Sequence, residues 1–425
     1  MVAASADLAL IARLIDAAER AAAAGRHAEA ARLLADAGAT APGHPRVLGA
    51  LGMHALRTGD VHAGRTHLTR AVEADPGSPL PWFHLALACR AAGDPAAEMQ
   101  ALDRALALDA RLYVAHLQKG LLLERQGRPK AAARCFTAFL NCLPPPAQQP
   151  PPLQQAAERA RAAVAADRAA LDHHLQTHLA AARAALGAPQ PRFEHCIDVL
   201  LGRRRIFTPQ PTFMHFPRLP AIEFYDRAEF PWLTALEAAG DAMREELAQA
   251  LAAGAAEFVP YVDYPEGLPL EQWRELNRSR QWSAYYLFKN GRRLDDHCAR
   301  CPRTAALLDA APLADVPGEA PTAFFSLLQP GTRIPPHTGV TNTRLVVHVP
   351  LVVPPGCGFR VGSETREWQP GHAWVFDDTI EHEAWNGSDA PRIILIVDIW
   401  NPYLTAAERS LVSAATVAAA EYARD

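Results

Sequence analysis

Long apolar runs are missing from this sequence. No segment approaches the ~20 consecutive apolar residues that cross a bilayer, so we expect no membrane insertion. The opening stretch, MVAASADLALIARLIDAAER, has no basic region followed by an apolar core, so we expect no secretory leader. A large excess of one charge is missing too. The net charge of −4 gives no reason to expect nucleic acid as a partner.

Cysteine is scarce and irregularly placed. The seven cysteines are an odd number spread over 425 residues, which argues against a disulfide framework and favours a reducing, cytoplasmic location. The stretch HCARC, residues 297–301, offers three side chains that can bind zinc but no fourth nearby, so we interpret it as a loop. We expect Cys298 and Cys301 to be reduced thiols.

The first third of the chain repeats itself. Glycines recur every 34 residues, and prolines follow the same period with one slot taken by Ala110. The members of these two series are Gly25, Gly59, Gly93 and Gly127, and Pro42, Pro76 and Pro144. A helical hairpin with glycine between its helices and proline after the second resembles the tetratricopeptide repeat. We therefore predict four repeats over about residues 8–143.

Stacked repeats of this kind form a curved helical array, because one unit cannot bury its apolar face alone. The concave face of such an array usually binds a peptide or protein, and a spacer or a dimerisation surface is the alternative. The next segment, LPPPAQQPPPLQQ, stops helix and stiffens a linker. A long helical pattern then runs to Gly187. On it, His174 and His178 lack the acidic partner of an H-E-x-x-H site, so we interpret them as solvent-exposed.

The texture changes from about Arg203, where alanine gives way to aromatic residues and proline. Between Ala323 and Trp400, short β-patterns broken by turn residues predict a sandwich, jelly roll or barrel. Asn386-Gly387 lies between two of these patterns and predicts a β-hairpin. The predicted domains are therefore a repeat array over 1–143, a linker and connecting helix over 144–187, and a third domain over 188–425.

Two histidines and an arginine in the β-region form a pattern with chemical meaning. His337 stands at the mouth of a strand, His382 follows 45 residues later, and Arg392 another ten residues on. Two neutral imidazoles can hold iron(II) on one face, and a guanidinium can clamp the far carboxylate of 2-oxoglutarate. Each residue alone is more often structural. Their combination and spacing favour an oxygenase that uses iron(II), 2-oxoglutarate and O2.

Three stretches make the resemblance specific. SLLQPGTRIPPHTGVTNTRLVVHVPLVV, GSETREWQPGHAWVFDDTIEHEAWN and RIILIVDIWNPYLTAAER resemble the aspartyl/asparaginyl β-hydroxylase family, and the likeness covers about residues 206–412. The resemblance implies a multidomain α + β protein. Its all-α tetratricopeptide-repeat solenoid precedes a double-stranded β-helix (jelly roll) with flanking helices.

The resemblance also implies roles for single residues. His337 and His382 match the iron ligands, and Gly339 matches the family's characteristic lack of an acidic third ligand. The remaining matches concern the co-substrate and the substrate. Ser326 and Arg392 match the pair that grips the distal carboxylate of 2-oxoglutarate, His348 a residue at its metal-binding end, Trp282 a wall of that pocket, and Arg344 an arginine that meets a substrate carboxylate. The Asp377-Asp378 pair falls in a family motif, where we expect a turn and a supporting role.

The sequence departs from the family at Val346. Members that hydroxylate peptidyl Asp or Asn often have arginine two residues before the position of His348, and Arg278 or Arg280 could supply the missing charge instead. We expect β-hydroxylation of Asp or Asn in a peptide or protein recruited by the repeats. Hydroxylation of a lipid A component or a small molecule is one alternative. A repeat scaffold with an inactive oxygenase domain is another.

Overall fold

The chain divides into two compact units, Met1–Gln190 and Pro191–Asp425. A computed structural model describes residues 2–188, 190–254 and 257–423. The predicted boundaries at residues 143 and 187 remain predictions, and the outer limits at 1 and 425 lie outside the described residues. The predicted α + β class is confirmed, because helical repeats come first and antiparallel sheets follow.

The first unit is built from helices that pair in chain order. They are α1 Val2–Ala23, α2 His27–Thr40, α3 Pro45–Arg57, α4 Val61–Ala74, α5 Pro79–Ala91, α6 Pro95–Leu108, α7 Tyr113–Arg125, α8 Pro129–Asn141 and α9 Pro151–Leu186. The glycines of the 34-residue series lie between the two helices of each pair. Each has positive φ, from +70° at Gly127 to +91° at Gly59, a conformation that glycine adopts without strain. The repeat period thus reflects a backbone requirement.

Small residues let the paired helices approach closely. A Cβ added at Gly52 of α3 would lie 2.5 Å from Cγ of Leu68 on α4, and one at Gly120 of α7 would lie 2.5 Å from the ring of Phe136 on α8. The long helix α9 continues this packing. Its Ala157 and Ala160 are fully buried in one cluster with Phe136.

Replacing Gly52 by alanine is expected to destabilise the repeat array by about 1–3 kcal/mol, since the added methyl group overpacks the α3–α4 contact. Gly49 lies on the same helix, and a Cβ there meets nothing within 4 Å. Gly49→Ala should therefore leave stability unchanged or raise it by up to about 1 kcal/mol. Urea unfolding of both full-length variants checks this, and equal loss in the two would contradict the close contact.

The second unit combines helices with two antiparallel sheets. Its helices are α10 Pro191–Leu200, α11 Leu233–Ala238, α12 Gly240–Ala253, α13 Asp295–Arg300, α14 Pro302–Asp309 and α15 Ala406–Tyr422. Its strands are β1 Val259–Pro260, β2 Trp282–Lys289, β3 Arg292–Arg293, β4 Ala323–Leu328, β5 Arg333–His337, β6 Arg344–Val352, β7 Cys357–Val361, β8 Glu364–Arg366, β9 Trp374–Phe376, β10 His382–Asn386 and β11 Arg392–Trp400.

The larger sheet has the order β1-β2-β4-β11-β6-β9, with β3 paired to β2, and the smaller sheet has the order β5-β10-β7-β8. Apolar side chains from both sheets, such as Leu328, Ile394 and Phe359, share one core cluster. A second cluster joins the larger sheet to helices, with Leu236 of α11 and Met243 of α12 among its members. Strand β2 belongs to this sheet although it precedes the region predicted to be β. Its apolar residues are buried on both faces, so it lacks the alternation of apolar and polar residues that marks a half-exposed strand.

The predicted hairpin at Asn386-Gly387 is wrong. Strand β10 pairs with β5 and β7, whereas β11 pairs with β4 and β6, so the chain crosses here from one sheet to the other. Asn386 is buried and stabilises this crossing. Its Nδ2 donates hydrogen bonds to the carbonyl oxygens of Leu328 and Ala390, each at 2.9 Å.

Candidate active site

The two histidines predicted to bind iron lie side by side in the smaller sheet. Strands β5 and β10 are antiparallel neighbours, and His337 and His382 are register partners. Their ring centroids are 4.1 Å apart. The separation of 45 residues in the sequence is therefore closed by strand pairing.

Hydrogen bonds set the tautomer of each of these rings. Nδ1 of His337 lies 2.8 Å from the carbonyl oxygen of Pro335, and Nδ1 of His382 lies 3.1 Å from that of Ile380. A carbonyl oxygen only accepts, so each Nδ1 carries the proton and each Nε2 keeps its lone pair. A histidine whose other nitrogen donates to a carbonyl is the usual form of a metal ligand. The donor set fits a metal held by two imidazoles.

Burial keeps both rings neutral. Desolvation lowers the pKa of His337. The pKa of His382 lies well below its ordinary value, chiefly because of desolvation and to a smaller extent because of the neighbouring His337. The edge of the Trp273 ring contacts His337 at 5.0 Å between centroids. Within the described ranges, no group of three or more His, Cys, Asp or Glu side chains is arranged to hold a metal. Any site here is a two-histidine site.

Gly339 lies where an acidic third ligand would be expected, and its surroundings leave no room for one. A Cβ at this position would collide with the carboxylate of Asp378. The Gly339 N–H also donates to the Asp378 carbonyl oxygen at 2.7 Å. The pKa of the Asp378 carboxyl is raised to about 8, chiefly by desolvation and to a smaller extent by the neighbouring Asp377. Asp377 itself caps a turn and accepts from the N–H and the hydroxyl of Thr379.

Gly339→Ala is expected to displace the Asp378 carboxyl or the β5 end, and to weaken metal binding by about tenfold. Gly43 in the first unit is the control, because a Cβ added there would meet no atom within 4 Å. Gly371 has the same open space, but its positive φ would strain an alanine. Gly43→Ala should leave metal affinity unchanged. Calorimetric titration with manganese(II) measures both, and unchanged affinity of Gly339→Ala would contradict the steric argument.

Among the described residues, Arg392 has the largest fully buried side chain. It lines the same cavity as the two histidines. Its Nη1 has only long contacts of 3.5 Å to the Ser326 carbonyl and hydroxyl oxygens, and its Nε has no hydrogen-bond partner among the described residues. The guanidinium stacks on the Trp368 ring at 4.8 Å. Burial lowers its pKa to about 10, so it stays charged at neutral pH. A buried cation of this kind fits a ligand carboxylate.

His348 has the opposite tautomer to the other two histidines. The Trp368 indole N–H, which can only donate, points to Nδ1 of His348 at 3.3 Å. The proton of a neutral His348 therefore sits on Nε2, where it can donate to an acidic ligand. Desolvation and, next, the Arg392 charge keep its pKa well below the ordinary value. His348 is thus a hydrogen-bond donor, and His337 and His382 offer lone pairs.

One cavity of about 820 Å³ contains all the predicted site residues. Trp282 forms part of its wall, and its indole N–H donates to the Ser326 hydroxyl at 3.1 Å. Arg344 lines the cavity but pairs with Asp398 at 3.3 Å between Nη1 and Oδ2. Val346 also lines the cavity. Arg278 pairs with Asp263 at the cavity rim, and Arg280 is not among the residues that line it.

Several residues of the site were not predicted from the sequence. Trp368 sets the tautomer of His348, Trp273 contacts His337, and Asp398 holds Arg344. Tyr261 stacks on Trp282 with centroids 4.1 Å apart. No local signal marks them, because each contacts a residue at least 20 positions away in the chain.

Comparison with known proteins agrees with this geometry. Residues 238–402 match the family model described as aspartyl/asparaginyl beta-hydroxylase, and residues 15–79 and 50–112 match tetratricopeptide repeats. Much of the second unit is therefore similar to the aspartyl/asparaginyl β-hydroxylase family. The predicted recognition of both regions is confirmed.

The relatives that match this region differ in the substrates that their names give. The aspartyl/asparaginyl beta-hydroxylase of Mus musculus is 39% identical over 150 residues, which are 35% of this chain and 20% of that protein. The ornithine lipid ester-linked acyl 2-hydroxylase of Rhizobium tropici is 32% identical over 192 residues, which are 44% of this chain and 64% of that protein. The human aspartate beta-hydroxylase domain-containing protein 2 is 37% identical over 134 residues, which are 31% of this chain and 36% of that protein. The match thus covers less than two thirds of each relative.

The remaining candidate sites lie outside the cavity described above. His297 donates through Nδ1 to the Tyr286 carbonyl oxygen at 2.7 Å, and Cys298 and Cys301 are buried free thiols. His174 and His178 are exposed, with ring centroids 3.9 Å apart. Of the helices that the structure describes, none combines the length and apolarity needed to cross a lipid bilayer.

Proposed function

We propose that this protein is an iron(II)- and 2-oxoglutarate-dependent dioxygenase that β-hydroxylates Asp or Asn residues of a peptide or protein. One observation carries the proposal. Arg392, a buried cation without an ion pair among the described residues, shares a cavity with His337 and His382, which both offer lone pairs. A cation left unpaired in the core is costly, and a carboxylate co-substrate bound to a metal would offset that cost.

The proposal gives a role to each of the site residues predicted from the sequence. Iron(II) with 2-oxoglutarate and O2 supplies the oxidising power to hydroxylate an unactivated C–H bond, with succinate and CO2 as co-products. Nε2 of His337 and of His382 would hold the metal. Arg392 and the Ser326 hydroxyl would bind the distal carboxylate, and Nε2–H of His348 would donate to the metal-binding end.

The walls of the cavity would exclude water. Trp282 fixes the Ser326 hydroxyl through its indole N–H, and the aromatic rings of Phe359 and Phe376 line the floor next to His382. Because His337 and His382 would be the protein ligands and no third one is present among the described residues, a metal held here would keep open positions for the co-substrate and O2. In this proposal Arg344 lies on the substrate side of the cavity.

The repeats would recruit the polypeptide substrate in the cytoplasm. Tetratricopeptide arrays offer an extended surface that binds peptides, and this supports a protein substrate over a free amino acid. A deletion strain would accumulate the unhydroxylated form of that substrate.

Purified full-length protein with iron(II), 2-oxoglutarate and a peptide library tests the proposal. We expect peptide-dependent formation of succinate and a mass gain of one oxygen atom on an Asp or Asn residue, located by fragmentation. A matched reaction with zinc(II) in place of iron(II) should give neither. No succinate with any peptide would count against the proposal.

Hydroxylation of an acyl chain is the second candidate, and Val346 favours it. This apolar side chain lines the cavity and supplies no positive charge to bind an acidic substrate. The relative from Rhizobium tropici is named an acyl 2-hydroxylase. Mass spectrometry of lipids and of soluble proteins from a deletion strain separates the two candidates. Loss of a hydroxylated lipid species, with the proteome unchanged, would favour this one. A scaffold without activity predicts no change in either.

A further inference from the structure

The substrate side of the cavity carries an ion pair between neighbouring strands. Arg344 on β6 and Asp398 on β11 lie 3.3 Å apart, and their side chains are 20% and 17% exposed. The same Asp398 oxygen, Oδ2, accepts the backbone N–H of Thr322 at 3.1 Å. Asp398 is thus held from two sides, and Arg344 has its charge balanced before any substrate arrives.

The rest of the substrate side is acidic. The charged residues that line the cavity are Asp263, Glu319, Glu381 and Asp398 against Lys289, Arg344 and Arg392, while Asp378, whose pKa burial raises to about 8, is mostly neutral at neutral pH. Arg278 and Arg360 from outside the cavity neutralise Asp263 and Glu381. No ion pair within the described ranges involves Glu319 or Asp378.

The other two cations of the cavity, Arg392 and Lys289, lie at its buried end and at its rim. Arg392 lies at the buried end of the cavity, where the proposed function assigns it to 2-oxoglutarate. The Lys289 amino group rests over the Tyr286 ring at 4.6 Å, on an exposed residue at the cavity rim. Arg344 is therefore the cavity cation that remains to meet a substrate side chain, and it already pairs with Asp398.

We propose that the Arg344–Asp398 pair recognises a carboxamide, so that this site selects Asn over Asp in its polypeptide substrate. The pair presents one donor and one acceptor side by side. A carboxamide has the complementary set, since its oxygen can accept from Arg344 and its NH2 group can donate to Asp398. The inference rests on the proposed function and names the substrate residue.

A carboxylate meets the same pair badly. It offers acceptors only, so one of its oxygens would face Asp398 or displace it from Arg344. Like charges placed together inside a site discriminate strongly between ligands. A site built for a hydrogen-bond donor rejects an analogue that lacks the donor more effectively than an apolar pocket rejects an extra group.

Two matched peptide libraries test the inference, identical except for a single central Asn or Asp. With the full-length protein, iron(II) and 2-oxoglutarate, we expect kcat/KM to be about tenfold or more higher for the Asn library. Asp398→Asn removes the acidic charge but keeps an oxygen that can accept from Thr322 N–H. In this variant Arg344 is free to bind a carboxylate, so the Asn-to-Asp ratio should fall to about one or invert.

Asp309→Asn serves as the matched control, because it removes one acidic charge from the same unit at a position that does not line the cavity. Its Asn-to-Asp ratio should equal that of the unsubstituted protein. Calorimetric binding of both libraries to the full-length protein gives a second measure that needs no turnover. There, too, tighter binding of the Asn library and loss of that preference in Asp398→Asn are expected.

The outcomes separate this inference from the proposed function. Hydroxylation of both libraries with equal or greater efficiency on Asp would overturn the inference alone. An unchanged ratio in Asp398→Asn would do the same, since a merely structural role of Asp398 lowers both rates together. Failure of both libraries to be hydroxylated would overturn the proposed function and the inference with it.

Discussion

His337→Ala is expected to lower the affinity for iron(II) or manganese(II) by more than about 100-fold and to abolish turnover. Loss of an outer partner of a metal ligand already costs 10–100-fold in affinity, and a site with two protein ligands has no third to compensate. The side chain is one of two neutral imidazoles 4.1 Å apart. Calorimetry with manganese(II) and the rate of succinate formation measure the two effects.

His372→Ala is the control for this prediction. His372 is exposed and does not line the cavity, so its removal should leave metal affinity unchanged. Far-UV circular dichroism of both variants shows whether the fold persists. Full metal affinity in folded His337→Ala would refute the assignment of this ligand.

Arg392→Met is expected to raise the half-saturating concentration of 2-oxoglutarate by about 100-fold or more. Truncation of one partner of a buried charge pair typically costs 2–5 kcal/mol or more, and each 1.4 kcal/mol is about a factor of ten. Metal affinity should change little, because Arg392 does not contact the proposed ligands directly. The titration of succinate formation against 2-oxoglutarate measures the change.

The same substitution should leave the stability of the ligand-free protein unchanged or increase it. Burial without a carboxylate partner disfavours the guanidinium and lowers its pKa to about 10, and an apolar side chain of similar length carries no such penalty. Arg292→Met, at an exposed residue outside the cavity, should change neither stability nor affinity for 2-oxoglutarate. A large fall in the stability of Arg392→Met, with 2-oxoglutarate binding intact, would make Arg392 a structural residue.

The residues with the strongest chemistry could be found in the sequence, because their types and spacing are themselves the signal. His337, His382 and Arg392 were predicted as a group, and the structure brings them into one cavity. The glycine series in the repeats was equally readable, since each turn demands positive φ at that position.

Other features depended on pairing between distant strands and could not be read locally. Asp398 was part of an apolar strand pattern, and only the β6–β11 register sets it beside Arg344. The Asn386-Gly387 turn looked like a hairpin, yet β10 and β11 belong to different sheets. A local turn signal does not say which sheet the next strand joins.

The central claim is that the cavity holds a metal on two histidines and a dicarboxylate on Arg392. Calorimetric titration of the full-length protein with manganese(II), followed by an inert analogue of 2-oxoglutarate, tests it directly. We predict that both bind with one site each, that His337→Ala loses the metal, and that Arg392→Met keeps the metal but loses the analogue. Absence of binding by the unsubstituted protein, or analogue binding unaffected by Arg392→Met, would contradict the claim.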